Sequence, residues 1–96
     1  MFGIWNCLVK TPFGDESYIM SITPNGAVIR HHTGDVEVDI YSYQENEFFF
    51  QKSLDFPIKC RLLIRGFFKN ESIYGTVKVD DFLELSFEGK NDSISV

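Results

Sequence analysis

Long apolar runs are missing from this 96-residue sequence, and so is any segment with the spacing of an amphipathic helix. A membrane-spanning helix needs about 18 consecutive apolar residues, so we predict that the protein has no membrane partner. The sequence starts without a basic leader, an apolar stretch and a small-residue cleavage site. We therefore expect a cytoplasmic protein.

Cysteine and histidine are scarce, with two of each. Cys7 and Cys60 are far apart and show neither metal-type nor CxxC spacing, so we expect two reduced, buried thiols, with a disulfide as the alternative. His31 and His32 are adjacent, and successive strand residues point to opposite faces, so they are not expected to chelate one ion. We predict no metal and no cofactor.

Basic residues are the minority, since nine Lys and Arg stand against fourteen Asp and Glu for a net charge of −5. An acidic chain has little general attraction to nucleic acid or anionic lipid, and we predict no nucleic-acid partner. The length suits one domain with one core. We expect this domain to span residues 1–90 and residues 91–96 to form a frayed tail.

Aromatic residues are abundant, with ten Phe, four Tyr and one Trp, and they recur with β-branched residues in period-two alternation. This pattern predicts strands at 2–10, 17–23, 27–32, 36–43, 47–54, 58–68, 72–79 and 82–89. The turns between them are hairpin-short, which favours antiparallel neighbours. We predict an all-β fold, a single up-and-down meander of about eight strands closed into a small barrel, with a β-sandwich as the alternative.

The same alternation predicts which side chains face inward. Residues 24–26 fit either a bulged turn or a two-residue Asn25-Gly26 turn, and we favour the second because it places one consistent apolar face on three strands. Through a predicted Thr33-Gly34 turn the pairing continues and sets Arg30 opposite Glu37 and His32 opposite Asp35 on the outer face. The predicted interior comprises Trp5, Cys7, Val9, Tyr18, Met20, Ile22, Ala27, Ile29, His31, Val36, Val38, Ile40, Phe48, Phe50, Cys60, Leu62, Ile64, Ile73, Gly75, Val77, Val79, Leu83, Leu85 and Phe87.

One short motif suggests a family. Gly3-x-Trp5 in the first predicted strand, followed by the meander, resembles the start of small bacterial calycin-like (lipocalin/streptavidin-type) β-barrels. In that family the tryptophan packs across one end of the barrel. The resemblance implies an internal cavity that holds a small apolar or aromatic ligand.

Two sets of residues are candidates for function. The interior candidates for ligand contact are Trp5, Tyr18, Met20, His31, Phe48 and Phe50. The polar groups of Trp5, Tyr18 and His31 would orient a ligand. No catalytic residue is assigned, because a dyad of His31 with Cys7 or Cys60 would need hydrogen-bond reach that spacing does not establish.

The second set lies outside. Acidic residues gather around the fourth predicted strand and basic residues on the sixth and seventh, where they alternate with apolar side chains. An apolar patch rimmed by charge is typical of a self-association or partner surface, and a solvated face with weak ion pairs is the alternative. The candidate interaction surface comprises Phe49, Arg61, Leu63, Arg65, Phe67 and Tyr74, and we expect a homodimer or another protein partner.

Overall fold

Nine antiparallel β-strands make up the fold in residues 2–55 and 59–92, the part of the chain that the computed structural model describes. They are β1 (Gly3–Thr11), β2 (Gly14–Thr23), β3 (Gly26–His31), β4 (Gly34–Glu37), β5 (Ile40–Gln44), β6 (Glu47–Leu54), β7 (Cys60–Lys69), β8 (Ser72–Val79) and β9 (Leu83–Asn91). The all-β prediction is confirmed.

The strands form one curled sheet in the order β4-β3-β2-β1-β9-β8-β7-β6-β5. Most neighbours are joined by short hairpins, and the pairing of β1 with β9 joins the two halves of the meander. One sheet replaces the two sheets of the sandwich alternative. The two edge strands, β4 and β5, are consecutive in the chain, and complete closure into a barrel remains a prediction.

The strand predicted at 36–43 is divided at Val38 and Asp39. The amide of Val38 donates to the carbonyl oxygen of Ala27 on β3 at 3.0 Å, whereas that of Asp39 donates to Gln51 on β6 at 2.8 Å. The Asp39 carboxylate also accepts from the amide of Ser53 at 2.9 Å. The chain thus passes from one edge of the sheet to the other within two residues.

This division reverses the alternation of faces, which corrects the predicted interior. Val36 and Val38 point inward as expected, but Ile40 is 50% exposed. Tyr43 instead packs against the core, and its hydroxyl donates to the carbonyls of Thr23 and Gly26 at 2.8 and 3.1 Å. The local pattern missed the change because the interrupted pairing at Asp39 shifts the inward positions by one residue.

Two hairpins use the same Thr-Pro-x-Gly turn, which corrects a predicted register. The hydroxyl of Thr23 accepts from the amide of Asn25 at 3.2 Å and donates to the carbonyl of Gly26 at 3.4 Å, as Thr11 does in its own turn. Ala27 therefore lies opposite Ile22 rather than Pro24. The shift is two residues, so the predicted face is preserved.

The turn between β3 and β4 shows the same two-residue shift. Arg30 lies opposite Asp35 rather than Glu37, and His31 lies opposite Gly34. His32 belongs to the turn instead of facing Asp35 from a strand. The turn therefore begins earlier than the sequence pattern indicated.

The core lies inside the curl of the sheet and is apolar. Its buried members are Trp5, Cys7, Met20, Ile22, Ala27, Val38, Phe48, Phe50, Ile64, Ile73 and Phe87. The Phe48 ring lies 4.9 Å from that of Phe50 and 5.0 Å from that of Phe68. Leu83 departs from its predicted interior position and is 39% exposed.

Strand β9 reaches the first residue of the predicted C-terminal tail. Asn91 belongs to β9, and the amide of Asp92 donates to the carbonyl of Ile4 at 2.7 Å. The predicted tail therefore starts inside the sheet. The rest of that tail, residues 93–96, and residues 56–58 at the predicted turn and the start of the next predicted strand lie outside the described residues.

Candidate functional site

Four of the six predicted ligand-contact residues are packed core side chains. Trp5, Met20, Phe48 and Phe50 are exposed by 1%, 4%, 3% and 0%. The Trp5 ring lies 5.4 Å from that of Phe68, so the aromatic residues contact one another. Their contribution to the core is clear from this packing, and their contact with a ligand remains a prediction.

The other two, Tyr18 and His31, lie together near the end of β3. Their rings stack at 4.6 Å with an interplanar angle of 29°. The imidazole nitrogens of His31 lie 2.9 Å from the Thr33 hydroxyl and 3.3 Å from the Glu16 carboxylate. Burial, and then the charge of Glu16, raise the pKa of Tyr18. His31 is thus held in place by contacts with Tyr18, Thr33 and Glu16.

The two cysteines are unpaired thiols. Cys7 is buried, and its sulfur donates to the carbonyl of Trp5 at 3.7 Å. Burial raises the pKa of Cys7 to about 12, so the thiol is neutral at physiological pH and is a poor nucleophile. This argues against a dyad of Cys7 with His31.

The histidine pair differs from its predicted geometry. The rings of His31 and His32 lie 3.9 Å apart because the second residue belongs to the turn. Among the described residues, no group of three or more His, Cys, Asp or Glu side chains is placed to hold a metal ion.

The six residues of the predicted interaction surface lie on one outer face of three adjacent strands. We call the outer side of β6, β7 and β8 the aromatic–basic face, defined by Phe49, Arg61, Leu63, Arg65, Phe67 and Tyr74. Cross-strand pairing sets Phe49 beside Arg65 and Phe67 beside Tyr74. The guanidinium of Arg65 lies 5.5 Å from the centre of the Phe49 ring, within cation–π range.

Two aromatic side chains of this face are open to solvent, because Phe67 is 49% exposed and Tyr74 is 41% exposed. Phe67 also lines, together with Phe49 and Arg65, an open groove of about 320 Å³. The structure therefore brings the predicted surface residues together, while their binding role remains a prediction.

Acidic residues complete this face, and the sequence reasoning did not include them. Glu47 lies opposite Phe67 on β6, and Glu88 lies opposite Tyr74 on β9. At the other end of the face lie Arg61 and, opposite Leu63, Lys78. Both charge signs occur at both ends, because Glu84 lies opposite Lys78 and Lys90 lies two residues beyond Glu88 on β9. This arrangement becomes visible only when the strand registers are known.

No helix in the described ranges is long and apolar enough to cross a membrane. Comparison with known proteins finds no matching family model, no matching curated protein and no matching solved structure.

Proposed function

We propose that this protein is a protein-interaction module that self-associates through the aromatic–basic face. The observation that carries the proposal is the pair of exposed aromatic rings, Phe67 and Tyr74, side by side on adjacent strands. Aromatic residues and arginine are enriched at interfaces and supply most of their binding energy. The Phe49–Arg65 contact beside them adds both residue types to the same patch.

The charge distribution supports a second copy of the chain as the partner. In a face-to-face dimer whose two-fold axis runs across the strands, each strand lies over its own copy in the opposite direction. With the axis at the level of Ile64 on β7, Phe67 of one copy lies over Arg61 of the other. Glu47, opposite Phe67 on β6, then lies towards Arg61 of the other copy, so these opposite charges meet.

Replacing Phe67 by alanine tests this proposal, because it removes an aromatic side chain from the interface without placing a new charge opposite Arg61. We expect the wild type to sediment as a dimer and Phe67→Ala to raise the dimer dissociation constant about thirtyfold or more. Phe13→Ala is the matched control, since Phe13 is fully exposed in the β1–β2 turn. A monomeric wild type, or equal effects of the two substitutions, would contradict the proposal.

A second candidate is a closed, calycin-like barrel that binds a small apolar ligand inside. The observation that favours closure is the passage at Val38 and Asp39, whose amides bond to β3 and β6 in turn. An apolar compound that entered the interior would change the fluorescence of the buried Trp5. The unpaired thiols of Cys7 and Cys60 fit the cytoplasmic location that we propose for either function.

A further inference from the structure

One edge of the curled sheet presents backbone groups that face no other described strand. Strand β4 lies at the end of the strand order and pairs with β3 alone in the described part of the chain. In an antiparallel ladder, successive residues direct their N–H and C=O groups to opposite sides of the strand. The amide of Val38 donates to β3, whereas that of Asp39 points the other way and donates to β6. The same alternation directs the N–H and C=O groups of Asp35 and Glu37 away from β3.

The other edge of the sheet, on β5, is covered by the turn between β2 and β3. The Tyr43 hydroxyl donates to the carbonyls of Thr23 and Gly26 in that turn. On β6, beyond its last pair with β5, the Ser53 amide donates to the Asp39 carboxylate at 2.9 Å. A side chain thus occupies this N–H of β6 in place of a strand. Among the described residues, β4 therefore keeps an open edge.

The side chains along the β4 edge alternate between apolar and acidic. Val36 and its β3 partner Ile29 face the inside of the curl, and both are half-buried. Asp35 and Glu37 face outward and are exposed. A strand added at this edge would place one side chain beside Val36 and the side chains before and after it beside the two acids. An apolar residue in the middle position would remove more of the Val36 surface from water.

The outer side of the edge has an excess of negative charge. None of the ion pairs among the described residues includes Glu37. Arg30 lies 3.8 Å from Asp35, but it belongs to β3, on the side away from the open edge. One exposed cation therefore accompanies two carboxylates. A second copy paired through the same edge would set acids beside acids, which is unfavourable, whereas a basic strand would set opposite charges side by side.

We propose that the β4 edge binds an extended basic peptide of another protein as an added antiparallel strand. The peptide backbone exchanges hydrogen bonds with the N–H and C=O groups of Asp35 and Glu37. Two basic side chains of the peptide lie beside these carboxylates, and the apolar side chain between them covers Val36. The backbone hydrogen bonds contribute affinity, and the alternating side chains select the sequence of the partner.

The experiment titrates the ¹⁵N-labelled protein with a capped pentapeptide of alternating lysine and valine. We expect the peptide to shift the amide signals of Asp35 and Glu37 and to slow their hydrogen exchange. The same peptide with the backbone nitrogen of its central lysine methylated keeps its charge but loses one N–H donor, and it should bind at least tenfold more weakly. A pentapeptide of alternating glutamate and valine should also bind at least tenfold more weakly, because like charges then meet. Glu37→Gln should weaken binding of the lysine peptide about three- to fivefold.

Glu71→Gln is the matched control, because it removes an exposed carboxylate from the β7–β8 turn, and it should leave the affinity unchanged. Equal losses in Glu37→Gln and Glu71→Gln would overturn the proposal, since they would indicate a general charge effect, as would equal binding of the methylated and unmodified peptides. Slow exchange of the Asp35 and Glu37 amides without peptide would overturn it too, and if it grew with protein concentration it would assign the edge to a second copy. Phe67→Ala should bind the peptide as the wild type does, so the outcome is independent of the proposed dimer.

Discussion

Individual glycines set how closely the strands and the core approach. Gly66 and Gly75 lie opposite each other on β7 and β8. A Cβ at Gly66 would overlap the Phe48 ring, whereas one at Gly75 would overlap the carbonyl oxygen of Arg65. The first obstacle is the end of a side chain and the second is backbone. Aromatic rings that cover glycines are a known device for stabilising curved sheets.

We predict that alanine at these two positions has unequal costs. Gly66→Ala should lower the free energy of unfolding by about 1–3 kcal/mol, because the Phe48 ring must shift, and Gly75→Ala should lower it by more. Urea denaturation measures both. Phe48→Leu should reduce the cost of Gly66→Ala and leave that of Gly75→Ala unchanged. A smaller cost for Gly75→Ala than for Gly66→Ala would contradict this account.

At the scale of elements, the passage between β4 and β5 connects the two edges of the sheet. Asp39 accepts from the Ser53 amide at 2.9 Å and from the Lys52 ammonium at 3.3 Å, so its side chain continues the pairing with β6. Tyr43 connects β5 to the β2–β3 turn from the other side. Hydrogen bonds of the Asp39 and Tyr43 side chains thus fix the chain where the backbone pairing between strands is interrupted.

The Asp39 contacts predict a pH dependence of stability. The hydrogen bond from the Ser53 amide, and then that from the Lys52 ammonium, lower the pKa of Asp39 below the ordinary value of an aspartate. Its native state therefore binds the proton less readily than the unfolded chain does. The stabilisation is present above pH of about 4 and is lost as the pH falls through the native pKa.

Asp39→Asn should remove this pH-dependent contribution to the stability. We expect the variant to unfold more easily than the wild type at neutral pH and the two urea curves to converge at acidic pH. Asp15→Asn, an exposed aspartate of the first hairpin, is the control. Parallel pH profiles of wild type and Asp39→Asn would contradict the role of the carboxylate.

At the scale of the whole molecule, the pairing of β1 with β9 joins the two hairpin series into one curled sheet. The aromatic–basic face lies on the outer side of β6, β7 and β8, on one side of this junction.

A charge exchange tests the orientation of the proposed dimer. Glu47 on β6 lies opposite Phe67 on β7, and Arg61 lies six residues from Phe67 along β7. The charges of Glu47 and Arg61 are therefore about 20 Å apart within one chain. Arg61→Glu and Glu47→Lys should each weaken the dimer about three- to tenfold, and their combination in one chain should restore it, as measured by sedimentation. Additive losses in the double variant would exclude this orientation.

The sequence by itself determined the strands and most of their faces, because period-two alternation is a local property. Trp5, Cys7, Phe48 and Phe50 point inward as their pattern predicts. The predicted register of β2 and β3 was off by two residues at the turn formed by residues 23–26. This error preserves the inward face, because the side-chain period of a strand is two.

Only the tertiary structure decided what depends on pairing between distant strands. The β1–β9 ladder and the reversal at Val38 and Asp39 each join residues that are far apart in the sequence. Local patterns carry no information on such pairs, because their positions follow from the curvature of the sheet and the hydrogen bonds of its turns. The aromatic–basic residues could therefore be named from the sequence, whereas the positions of Glu47 and Glu88 beside them could not.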